Sequence, residues 1–92
     1  MFYFVKVRID VGKMSEFGQK LQSGAIKTHP LVTYCLQDDP SVGLNIWEAQ
    51  DKESFEEAFH PHREFYAEVI DISPVILPQE AMAILMQPSK NN

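Results

Sequence analysis

The first ten residues, MFYFVKVRID, alternate with period two and carry large apolar side chains on both faces. Tyr3, Val5, Val7 and Ile9 share one face. Phe2 and Phe4 sit at one end of the other, followed by Lys6, Arg8 and Asp10. Aromatic and β-branched residues at alternate positions predict a strand. A strand that is apolar on both sides has to be covered on both sides, whereas a solvated sheet face reads polar at alternate positions. The rest of the chain therefore has to supply two coverings for this one element.

The first covering is helical. Met14, Phe17, Leu21 and Ala25 recur at intervals of three and four, which predicts a helix over about 13–27. Gly18 and Gly24 weaken it, by up to about 1 kcal/mol each, and Thr28-His29-Pro30 stops it. Residues 31–37 and 42–49 read as extended runs around Asp38-Asp39-Pro40-Ser41, a turn cluster, so they form an antiparallel hairpin. Asp51 is a good N-cap for a second helix, with Glu53, Glu56 and Glu57 in its early turns and Phe55, Ala58 and Phe59 facing inward. Pro61 predicts a break near His60 and a short restart through His62, Arg63, Phe65 and Tyr66. Residues 69–77 read as a fourth strand, and Pro78 opens a short helix over 79–86. The order βαββαβ plus a terminal helix is the ferredoxin-like α+β arrangement, a four-stranded antiparallel sheet with two helices on one face. At 92 residues the chain holds one domain, 1–87, with a frayed tail at 88–92.

The second covering is the more informative one. On the open face stand Phe2 and Phe4; Val32, Tyr34 and Leu36 oppose Leu31 and Cys35 across the second run; Trp47 opposes Ile46 on the third. An apolar face of this size marks an interface. The expectation is a homodimer with the sheets face to face and the terminal helix reaching to its neighbour. The alternative is a monomer with that helix folded over its own open face.

Composition narrows the partners. The net charge of −5 argues against nucleic acid and against anionic membrane, which both attract a positive face. One cysteine excludes an internal disulfide framework and a Cys-rich zinc site. No apolar run approaches the about 20 residues of a membrane span, and the charged opening stretch is not a signal peptide. A reducing cytoplasm is the expected location.

Phosphate loops, serine elbows and HExxH patterns are absent, so chemistry has to come from a few side chains. His62, Arg63 and Tyr66 are the candidate catalytic set. His62 suits a general base near neutral pH, Arg63 a carboxylate or enolate anchor, and Tyr66 an orienting phenol. The alternative reading pairs Arg63 with Glu56, Glu64 or Glu68 at the surface and leaves Tyr66 at the edge of the core. Tyr34, Asn45, Trp47 and Phe59 are the candidate ligand-binding set, with Asn45 as one orienting amide in an apolar pocket. Asn45 and Trp47 read equally well as an interface pair. His60 and His62 flank Pro61, but i and i+2 diverge on a helix. With His29, Glu57 or Glu64 as the third ligand the spacing matches no recognised metal site, so no metal and no cofactor are expected. Cys35 reads as a small inert hydrophobe.

MFYFVKVRID, NIWEAQDKESFEEAFHPHREFY and PVILPQEAMAILM together resemble the dimeric α+β barrel superfamily, including its antibiotic-biosynthesis-monooxygenase and muconolactone-isomerase groups. The resemblance covers most of the chain and describes a fold more than a reaction. It implies a pocket between sheet and helices and, in the enzymes, cofactor-free oxygenase or isomerase chemistry. One haem-degrading subgroup carries an Asn on the first strand and a Trp and a His on the second helix. Here the first strand has no Asn, Trp47 is on the third strand, and the helical His position falls nearer Tyr66, so haem degradation is not implied. Three functions follow: a homodimeric domain that binds a small apolar or aromatic molecule, a cofactor-independent monooxygenase or isomerase with His62 as base, or a purely structural or assembly role with a closed interior and no cavity.

Overall fold

β1 (Phe2–Ile9) is an inner strand of the sheet, hydrogen-bonded to a neighbour on each side. It pairs antiparallel with β3 (Val42–Glu48) on one side and β4 (Tyr66–Val75) on the other, and β2 (Val32–Cys35) forms the edge beyond β3. The computed structural model describes residues 1–87, and the tail expected at 88–92 lies outside the described residues. With α1 (Met14–Ser23) after β1 and α2 (Lys52–Arg63) after β3, the order β2-β3-β1-β4 is the ferredoxin-like α+β fold. A 3-10 turn at Val11–Lys13 leads into α1, and α3 (Pro78–Leu85) follows β4. No helix among the described residues is long and apolar enough to cross a membrane.

Register decides which side chains meet the helices. Tyr3, Val5 and Val7 pair with Trp47, Asn45 and Gly43, and this side is buried. Phe4 pairs with Ile46, which pairs with Val32, on the open side. Along β4 the pairing passes over Ile70 and Ala67. Val69 thereby stands opposite Val7 and Tyr66 opposite Ile9 on the helix side, and Glu68 stays on the open side opposite Arg8. The core is aromatic. Tyr3 stacks on Phe55 at 4.4 Å between centroids, Phe55 on Phe59 at 5.6 Å, and Trp47 meets Phe59 edge-on at 5.7 Å.

Four boundaries differ from the sequence expectation. α1 stops at Ser23 rather than near 27, because Gly24 adopts the left-handed conformation (φ 82°) and its N–H bonds to the Leu21 carbonyl. α2 runs unbroken through Pro61 instead of breaking near His60. Proline there removes one backbone donor in the last turn, a small loss against a helix whose start is capped by Asp51 (Oδ1 accepting from Ser54 N at 2.8 Å) and whose face buries Phe55, Phe59 and His62. β4 begins at Tyr66, not 69, so Tyr66 is a strand residue and there is no restarted helix. β2 is shorter than the run 31–37 and keeps only Val32–Cys35.

Candidate functional site

A cavity of about 340 Å³ opens between the helices and the β2–β3–β1 part of the sheet. Val7, Gly43 and Asn45 form its floor, and Thr33 and Cys35 continue that floor onto β2. Phe17 and Leu21 from α1 form one wall, and His29 and Pro30 from the loop before β2 stand at its margin. His62 from the last turn of α2 and Tyr66 from the start of β4 complete it. None of the lining residues is a lysine, arginine, aspartate or glutamate.

Asn45 is 3% exposed, and its amide is near enough to the Tyr66 hydroxyl to influence its titration. Burial pushes the Tyr66 phenol above its ordinary range, and the Asn45 contact pulls it partly back. Gly43 leaves the floor open. A Cβ there would stand 3.4 Å from Val7 Cγ2, so larger side chains at this position fill the cavity.

His62 is 2% exposed and held by Thr28. Its Nε2 stands 2.8 Å from the Thr28 carbonyl, which can only accept, so Nε2 carries the proton and Nδ1 the lone pair of the neutral ring. The Thr28 hydroxyl, 3.3 Å from the same nitrogen, donates to the Ala58 carbonyl at 2.6 Å. The chain after α1 is thus tied to α2. Burial lowers the His62 pKa below its ordinary value; the Thr28 carbonyl opposes this and nearby His29 adds to it. Trp47 and Phe17 meet the ring edge-on at 5.0 and 5.5 Å.

The structure brings His62, Tyr66 and Asn45 to one cavity and places the other sequence-predicted residues elsewhere. The Arg63 guanidinium pairs with Glu56 at 3.1 Å and lies over the Phe59 ring at 4.9 Å. Trp47 and Phe59 are core residues under the helices rather than cavity lining or an interface on the open face. The Trp47 indole N–H is buried without a hydrogen-bond partner among the described residues. Tyr34 is 67% exposed and points to the open side, because it pairs with Leu44 and not with a helix-side residue. Cys35, an exposed free thiol, lines the cavity mouth. Among the described residues no three His, Cys, Asp or Glu stand together as a metal site would require.

Phe17, Thr28, Thr33 and Gly43 belong to the site but carry no local signal for it. Only sheet register and the loop after α1 bring them there. A second cavity, about 440 Å³, lies at the other end of α2 between Tyr3, Phe55, Ile72 and Pro74, with Lys52 and Glu56 on its rim. It is larger, but it lacks the convergent buried polar groups that mark a ligand site.

No protein-family model matches the chain, and no curated protein matches it in sequence. Its fold is shared with 5-chloro-2-hydroxyhydroquinone dehydrochlorinase from Burkholderia phenoliruptrix AC1100, solved in complex with 2,5-dihydroxybenzoquinone. The TM-score is 0.56 at 10% identity, over 87% of this chain and 98% of that one. An antibiotic biosynthesis monooxygenase-like protein from Chloroflexus aurantiacus J-10-fl is also similar, with a TM-score of 0.47 at 18% identity over 83% of this chain and 93% of that one.

Proposed function

We propose that the chain is a homodimeric domain that binds a small, uncharged, single-ring molecule beneath its helices. The observation that carries this is a cavity of about 340 Å³ with no formally charged side chain and with Asn45, Tyr66 and His62 converging on it. Its size is at the low end of the about 300–1,000 Å³ of ligand pockets, which suits one ring. An unpaired charge in such a site has no counter-ion, so ionised ligands are rejected. The ring compound held by the dehydrochlorinase of the same fold supports an oxygenated ring as the ligand. The dimer is supported by the end of the open face where Phe2 pairs with Val75 and Phe4 with Ile46 beside Val32, with Glu48 and Ser73 in the same rows. The exposed free thiol of Cys35 supports a reducing, cytoplasmic location.

Isothermal titration with hydroquinone and with benzoate tests the cavity reading. Saturable heat from hydroquinone and none from benzoate is the expected result. Equal binding of the two, or of neither, contradicts it.

A second reading, a cofactor-independent monooxygenase or isomerase, is favoured by one observation. The Thr28 carbonyl holds the Nε2–H tautomer of His62, which leaves an unprotonated Nδ1 as a base near neutral pH. Dioxygen uptake with hydroquinone that disappears in His62→Gln, while binding persists, would establish the oxygenase form of this reading.

A further inference from the structure

We infer that α1 is a lid over the cavity: it opens by local unfolding, independently of the rest of the domain, and a ring bound in the cavity holds it shut. This rests on the binding reading above.

The two helices beside the cavity are held unequally. α2 buries Phe55, Phe59 and His62. α1 buries none of its ten residues, and only Phe17, Lys20 and Leu21 are half-buried. Phe17 is its main grip. The ring stacks on Phe65 at 4.7 Å and meets His62 and Tyr66 edge-on at 5.5 and 6.0 Å. Lys20 adds its Nζ over the Phe65 ring at 5.6 Å. Isolated helices shorter than about 12–15 residues are marginal in water, so α1 depends on that one ring. Gly18 weakens it from the middle without a packing gain, because a Cβ there would meet no neighbouring group within 4 Å.

Both flanks of α1 are fixed by contrast. Before it, the Asp10 N–H donates to the Phe65 carbonyl at 3.1 Å, and Lys13 Nζ donates to the Glu64 carbonyl at 2.9 Å. After it, Ile26 is buried and Thr28 is tied to His62 and Ala58. Gly24, at φ 82°, separates α1 from this second anchor. A weakly packed segment between two anchored ends opens at a lower free energy than the whole domain.

Placement makes that opening matter. Phe17 and Leu21 are the two residues with which α1 lines the cavity. A ring above Gly43 and Asn45 therefore packs against the same side chains that hold α1 down. When α1 opens, the ring loses that wall. The open form then binds it more weakly than the closed form, and the ligand shifts the balance toward closure.

The test is hydrogen exchange of amides 14–23, compared with amides 55–62 of α2, in wild type and Gly18→Ala. In wild type without ligand, α1 is expected to exchange much faster than α2. Hydroquinone at about a hundredfold excess over its Kd is expected to slow α1 by about a hundredfold. Without ligand, Gly18→Ala is expected to slow α1 by about fivefold and leave α2 unchanged. That variant adds one methyl group in open space on a helix, so it folds. A single exchange rate for α1 and α2 overturns the lid. So does α1 exchange that Gly18→Ala leaves unmoved, or that stays fast while calorimetry shows hydroquinone bound; in these cases the binding reading stands. No heat from hydroquinone overturns the binding reading, and the ligand's hold on α1 with it.

Discussion

At the residue scale, His62 does two jobs with two nitrogens. Nε2 ties α2 to the loop after α1 through Thr28, and Nδ1 keeps the lone pair. The neutral ring is favoured in the fold, so its pKa lies below the ordinary 6.5. As pH falls through about 6.5, the unfolded ring gains its proton first. Stability then falls with pH until the folded ring protonates too, with a slope of at most about 1.4 kcal/mol per pH unit. Urea denaturation at a series of pH values from about 7 down to 5 should show this slope in wild type and lose its His62 component in His62→Gln. Thr28→Val removes the hydroxyl that donates to Ala58, and should cost about 1–2 kcal/mol in the same measurement at pH 7. The chemistry of His62, Tyr66 and Asn45 is legible from residue type alone. The role of Thr28 is not, since its partners lie thirty or more positions away and it reads locally as the end of a helix.

At the element scale, existence and order were easier to read than boundaries. Alternation in MFYFVKVRID marks the first strand, and Asp51 marks the start of α2. Asp51→Ala should therefore cost about 1 kcal/mol, seen as a lower thermal midpoint with an unchanged fold. Pro61 misled because its position in the last turn, not its presence, decides the damage. The β4 boundary was missed for another reason. Two irregularities in the β1–β4 register break the simple alternation of YAEVIDISPV, and they place Tyr66 over the cavity. Half of the candidate site thus depends on pairings between elements distant in sequence, which no local pattern encodes.

At the scale of the whole molecule, the two sides of the sheet differ. Its helix side holds the aromatic core and the cavity; its open side is apolar at one end and charged at the other. At the charged end Arg8 reaches Asp39 at 3.0 Å and Glu68 at 3.9 Å. Ile46→Glu places a charge on the open side without touching the cavity, and should convert the proposed dimer to monomer in sedimentation at micromolar concentration. That both faces of the first strand carry apolar side chains is legible in the first ten residues, and what covers the open one rests on the proposed dimer. The cavity was not visible, since its shape forms only on folding. The central claim is that the space above Gly43 and Asn45 takes an uncharged ring. Trp47 is the only tryptophan, and its ring lies 5.0 Å from His62 at the cavity wall. Its indole N–H resonance, followed during titration with hydroquinone, reports on that space through the His62 ring. A saturable shift in wild type that disappears in Gly43→Val is the predicted result; no shift in wild type, or the same shift in both proteins, would contradict it.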